Sequence, residues 1–83
     1  MGLFDWLKRA PAPPEDKTAR WLVNNIDGAA REGSIAMLAN ACAALSGAAP
    51  MAFGMIVGDF PGREQVREHA FAALRALAGK LGD

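Results

Sequence analysis

IAMLANACAALSGAAPMAFGMIVG, residues 35–58, is the stretch on which the fold turns, because its 24 residues include no charged side chain. At a rise of about 1.5 Å per residue, a single helix of that length would cross a hydrocarbon core of about 30 Å. Gly54 and Gly58 also make a GxxxG pair, a spacing that lets transmembrane helices approach closely. Against a membrane span stand Asn40, Ser46, Gly47 and Pro50, which interrupt the run, and the many alanines, which add little to the free energy of insertion. Ile35, Leu38, Cys42 and Leu45 recur at three- and four-residue steps, the stripe of a helix with one buried side. The stretch therefore reads as a pair of helices packed into a bundle, with a spanning segment as the alternative.

In that reading Ser34 caps the first helix and Ser46-Gly47 ends it. Ala39, Ala43 and Gly47, spaced by four, form a small-residue side that another helix could approach. Asn40 is a polar amide in an apolar helix, and such a group either fixes register and oligomer state or caps a neighbouring carbonyl. A further short helix is expected after Pro50, carrying Met51, Phe53, Met55, Ile56 and Val57.

Downstream, Asp59-Phe60-Pro61-Gly62 is a turn. A last helix follows from about Gly62 to Leu81, with Val66, Ala70, Leu74, Leu77 and Leu81 as one apolar stripe and charge on the opposite side. Gly79 and Gly82 weaken its final turns, so fraying near Lys80 is expected. Upstream, a helix is expected from Pro14, with Glu15 and Asp16 in its first turn and Ala19, Leu22, Val23 and Ile26 at helical spacing. Asn24, Asn25, Asp27 and Gly28 read as its C-terminal stop, against the competing reading of a helix that continues through residues 29–33.

The chain opens with MGLFDWLKRA, residues 1–10, about two turns of amphipathic helix with its acid early and its bases late, as the helix dipole favours. So short a segment needs a surface to fold against. Pro11, Pro13 and Pro14 end it and make a semi-rigid extended spacer over residues 11–14. The expected class is all-α: a small bundle of three to four helices over residues 15–83, preceded by the spacer and the N-terminal amphipathic helix. No repeat at a solenoid period is visible.

Eighty-three residues make one domain, and at that size folding buries only about 60% of the surface the unfolded chain exposes. Hydrophobic residues are 52% of the chain, but many are alanines that bury little area. So shallow a core favours self-association, and a homo-oligomer is expected. Lys plus Arg and Asp plus Glu are both 9, which leaves no long-range field to attract nucleic acid. One cysteine cannot form an internal disulfide, and no signal-peptide pattern opens the chain. A cytoplasmic setting is expected, and richness in Ala, Gly and Arg without Tyr points to a bacterium of high genomic GC content.

No constellation in the sequence carries chemistry. Cys42 and His69 fall on separate expected helices, so a Cys-His nucleophile pair lacks support, and Cys42 reads as a core residue with His69 at the surface or boundary. With one histidine and scattered carboxylates, no metal and no cofactor is expected. Two surfaces remain as candidates for binding. The first is Leu3, Phe4, Trp6, Leu7, Lys8 and Arg9, which would dock on the bundle or a sister subunit, or lie in a membrane interface with the bases on anionic head groups. Gly2 is not a myristoylation signal, because Trp6 stands where Ser or Thr is needed. The second is Arg63, Arg67, Phe71 and Arg75 at four-residue steps, a line able to grip an acidic surface unless Glu64 and Glu68 offset it. The function expected is therefore binding, not catalysis: an adaptor, regulator or inhibitor of a larger bacterial or phage machine, acting on a protein partner. Peripheral membrane association is the alternative.

Overall fold

The computed structural model describes residues 16–82. They form three helices and a minimal hairpin: α1 (Lys17–Glu32), α2 (Ile35–Leu45), β1 (Met51–Ala52), β2 (Met55–Ile56) and α3 (Arg63–Gly82). The described chain is mostly helical, as the periodicity predicts.

Helix α1 opens on Asp16, whose backbone is extended (φ −68°, ψ 134°) and whose Oδ2 accepts from the Ala19 N–H at 3.0 Å. Asp16 is thus the cap and not a first-turn residue, since its short carboxylate satisfies an amide that has no partner within the helix. The helix does not stop at Gly28. It runs four residues further and closes at Gly33 (φ 76°), where Ser34 donates to the Ala29 carbonyl at 3.0 Å and Gly33 to the Ala30 carbonyl at 3.2 Å. That pair of bonds is a Schellman motif, with glycine at the left-handed position. Burial decides between the two glycines: Ala29 and Ala30 lie beyond Gly28 and are both in the core. Asn25 does not break the helix either, because its Nδ2 donates to the Trp21 carbonyl at 2.8 Å, one turn back.

Ser34 is also the N-cap of α2, its Oγ accepting from the Met37 N–H at 3.3 Å, so two residues end one helix and start the next. Leu38, Cys42 and Leu45 are buried as the stripe predicts, and Ile35 is half-buried. The small-residue side is not where spacing put it. Ala39 and Gly47 are exposed, whereas Ala41 and Ala44 are buried and face the other helices. Asn40 is exposed. A second Schellman closure at Gly47 (φ 86°) ends the helix, with Ala48 donating to the Ala43 carbonyl at 2.8 Å.

The short helix expected after Pro50 is instead an antiparallel hairpin, pairing Met51 with Ile56 and Ala52 with Met55. Its two-residue loop is Phe53-Gly54, with φ of 53° and 77°. Two positive φ values are the mark of a type I′ turn, whose twist matches that of the flanking strands. Val57 donates to the Pro50 carbonyl at 3.0 Å and extends the pairing by one rung. A helix here would begin well at Pro50 but would have to carry Gly54, Gly58 and β-branched Ile56 and Val57 with few core contacts. With α2 only 11 residues long and a hairpin after it, residues 35–58 do not make a membrane-spanning helix. Among the described residues, no helix is long and apolar enough to cross a membrane.

Phe60 to Arg63 turn the chain into α3. Pro61 and Gly62 (φ 84°) occupy the centre, and Arg63 donates to the Phe60 carbonyl at 3.2 Å, a type II turn. Helix α3 buries Val66, Ala70, Ala73 and Leu77, half-buries Leu74 and continues through Gly79 to Gly82. Leu81, read as the end of the stripe, is 64% exposed, so packing ceases one turn earlier than the pattern does.

Among the described residues, half of the 16 buried hydrophobic residues are alanine, and no polar or charged residue is buried with them. The core is therefore narrow, and Leu22, Ile26, Leu38 and Val66 are its largest wholly enclosed side chains. Around it the contacts fix which ends meet. Trp21, on the second turn of α1, meets Phe53 edge to face at 6.2 Å, and Arg63 at the start of α3 reaches the last carbonyls of α2. The start of α1, the end of α2, the hairpin and the start of α3 thus gather at one end.

Candidate functional site

At that end the hairpin buries Ala52 and Val57 and leaves other apolar side chains exposed. Met51 and Ile56 are directly opposed across the two strands and so lie on one face, while Ala52 on the other face is buried. Ile56 is 74% exposed, Met51 43% and Met55 36%. Met51 and Ile56 on the outer face, together with Met55, which pairs with Ala52 on the other face and is still exposed, are the densest exposed hydrophobic group among the described residues. Phe53 anchors the ribbon. A phenylalanine at φ 53° is strained by its Cβ, and the edge-to-face packing of its ring on Trp21 offsets that strain.

Arg63 holds the neighbouring loop. Its Nε donates to the Leu45 carbonyl at 3.2 Å and its Nη2 to the Ala44 carbonyl at 3.3 Å, while Nη1 reaches the Gly58 carbonyl at 3.3 Å and Asp59 Oδ1 at 3.1 Å. The guanidinium thus caps the negative end of α2 and ties residues 58–59 to it, a task that its planar fork of donors suits. Arg67 pairs with Glu64 at 3.7 Å, and Leu45, Arg63, Glu64 and Arg67 line an open depression of about 350 Å³. The four-residue line expected on the last helix is therefore not uniform: Arg63 is turned to backbone carbonyls, Arg67 lies beside Glu64, and Phe71 and Arg75 are exposed farther along. Leu3, Phe4, Trp6, Leu7, Lys8 and Arg9 lie outside the described residues.

His69 and Asp27 meet at 2.8 Å between α3 and α1, with side chains only 12% and 19% exposed. Two residues 42 apart in sequence carry no local signal of such a bond, and this contact could not be read in advance. Cys42 is buried, and that burial pushes its thiol up, with the Arg75 guanidinium pulling it partly back. A thiol held protonated is a poor nucleophile. Among the described residues no group of three or more His, Cys, Asp and Glu side chains is placed to hold a metal ion.

The hairpin is the feature that sequence reasoning missed. Its one local signal was Phe53-Gly54 between two short apolar pairs, with Gly54 at a loop position that demands positive φ. Comparison with protein-family models, with curated proteins and with solved structures finds no match to this chain.

Proposed function

We propose that this chain is a small helical interaction module that binds a protein partner through its hairpin end and does no chemistry of its own. The observation that carries the reading is the outward pair Met51 and Ile56, with Met55 also exposed on the same hairpin. Covering it removes from water apolar area that the narrow core leaves out, at about 25 cal/mol per Å² before the costs of association. Methionine adapts its shape to a partner with little strain, which suits a contact surface. Self-association is the simplest way to cover such a face, and a homo-oligomer acting as adaptor, regulator or inhibitor of a larger assembly in the cytoplasm is the role we assign. Phe71 and Arg75, exposed on α3, supply a second contact region.

The test is an Ile56→Asp variant, since a side chain this exposed tolerates substitution without loss of fold. Light scattering of the purified full chain and affinity capture with partner identification should both show losses relative to wild type. An unchanged oligomer together with an unchanged set of captured proteins would sink the reading.

A second reading rests on the sequence that precedes the described residues. Trp6, Lys8 and Arg9, which lie outside them, put an aromatic side chain close to two bases. That arrangement suits peripheral contact with an anionic membrane. Sedimentation with phosphatidylglycerol vesicles decides it: a chain that stays in the supernatant rejects membrane contact.

A further inference from the structure

We infer that β2 is a dimerisation edge: it adds antiparallel to β2 of a second copy of this chain, about a two-fold axis at Ile56, so that two hairpins make one four-stranded sheet. The inference rests on the hairpin end being the contact surface, and it names the partner and the register.

The hydrogen-bond pattern of the hairpin leaves one edge open. In an antiparallel ladder, pairs that exchange backbone bonds alternate with pairs that do not. Val57 donates to the Pro50 carbonyl at 3.0 Å, so that rung is bonded and the next one, Met51 with Ile56, is not. The N–H and C=O of Ile56 therefore point away from β1, and neither meets a partner among the described residues. Packing leaves the same side bare. Among the described elements β2 touches only β1, whereas β1 also lies against α2. Exposed edges are commonly guarded by a proline, a charge or a bulge. Pro50 stands at the start of β1, but Met55, Ile56 and Val57 include no such guard, and two of the three are β-branched strand formers.

The edge is complementary to itself, which selects a second copy as its occupant. A residue that offers one N–H and one C=O to the same side is matched by the same residue on an antiparallel copy, each donating to the other across a two-fold axis. Paired residues also share a face of the sheet. Met51, Ile56, Ile56 of the second copy and Met51 of the second copy would thus form one apolar row across four strands, with no charge between residues 35 and 58 to desolvate. The two isoleucines at its centre cover each other, and Ile56 is the most exposed large hydrophobic side chain among the described residues, at 74%.

Sedimentation velocity of the full chain from micromolar to millimolar concentration should show a reversible monomer to dimer equilibrium. Ile56→Pro removes the edge donor without removing a bond inside the hairpin, where that N–H is not used, and proline is tolerated at such edge positions. Both bonds across the axis are lost together, so the dimer dissociation constant should rise by about tenfold or more. Leu81→Asp, at an exposed site on α3, should leave it unchanged. Register is tested in the Cys42→Ala background, where an added cysteine is the only one. Ile56→Cys places two Cα atoms about 5.5 Å apart across the axis and should oxidise to a covalent dimer, whereas Met51→Cys, about 14 Å from its copy, should not. Far-UV circular dichroism checks that each variant is folded. A chain that stays monomeric at every concentration overturns the inference, as does a dimer indifferent to Ile56→Pro or one that Met51→Cys cross-links as readily as Ile56→Cys. The broader reading is judged apart: a monomeric chain that captures a protein and loses it on Ile56→Asp rejects the pairing and keeps the interaction module, whereas captures also indifferent to Ile56→Asp reject both.

Discussion

Gly28 and Gly33 lie five residues apart and answer opposite demands. Gly28 is inside α1, and a Cβ there would meet nothing within 4 Å, whereas Gly33 closes the helix at φ 76°. Gly28→Ala should raise stability by about 0.5–1 kcal/mol through lower unfolded-chain entropy and better helix propensity. Gly33→Ala should lower it by about 1–2 kcal/mol because an L side chain is strained in the left-handed region. Urea unfolding of the two variants checks both signs. Cys42 supplies a pH dependence. Its folded thiol titrates above its ordinary range, so the unfolded chain loses that proton first. Its contribution to stability is full below the ordinary thiol range and is lost as pH climbs through the raised value. Urea midpoints at neutral and alkaline pH should converge for wild type and Cys42→Ala as pH rises; a constant gap would contradict this.

At the scale of elements, one side chain joins three of them. Arg63 begins α3, caps α2 and fastens the loop after the hairpin. Arg63→Ala leaves the Ala44 and Leu45 carbonyls without these donors, at a cost of about 1–3 kcal/mol. Arg63→Lys should recover little of this, because one ammonium cannot donate along several directions of a planar fork. Asp59→Ala, at a carboxylate almost wholly in water, should leave the thermal midpoint unchanged. An Asp59→Ala loss as large as that of Arg63→Ala would show that the surface ion pair, and not the capping, is what matters. The contrast also explains why the arginine line was legible as a pattern but not as a role. Spacing of four places Arg63, Arg67, Phe71 and Arg75 along one helix, but only the neighbouring helix end decides that Arg63 turns inward.

For the molecule as a whole, a core half made of alanine leaves few side chains to carry the fold. Leu22 is among the largest wholly buried ones, so Leu22→Ala should cost about 2–5 kcal/mol, transfer and cavity together. For a chain of this length, total stability is on the order of 4–12 kcal/mol, and the variant should lose most of its cooperative unfolding transition in calorimetry. A loss under 1 kcal/mol would contradict the enclosed position of Leu22 in the core. The same narrowness links fold to function, because three of the six large hydrophobic side chains left exposed among the described residues, Met51, Met55 and Ile56, lie on the hairpin.

Helix identity, the Ser34 cap, the Ser46-Gly47 stop, the Pro61-Gly62 turn and most of the α3 stripe were set by local sequence, since caps, left-handed glycines and 3.6-residue periodicity act within a few residues. The tertiary structure alone decided the rest. Burial of Ala29 and Ala30 carried α1 past Gly28, packing on Trp21 held Phe53 in a strained turn, and contacts across 18 to 42 residues gave Arg63 and His69 their partners. Residues 51–57 are apolar in a way that satisfies helix and strand alike, and the choice fell to the ribbon because its inner face could lie on α2 while Phe53 met α1.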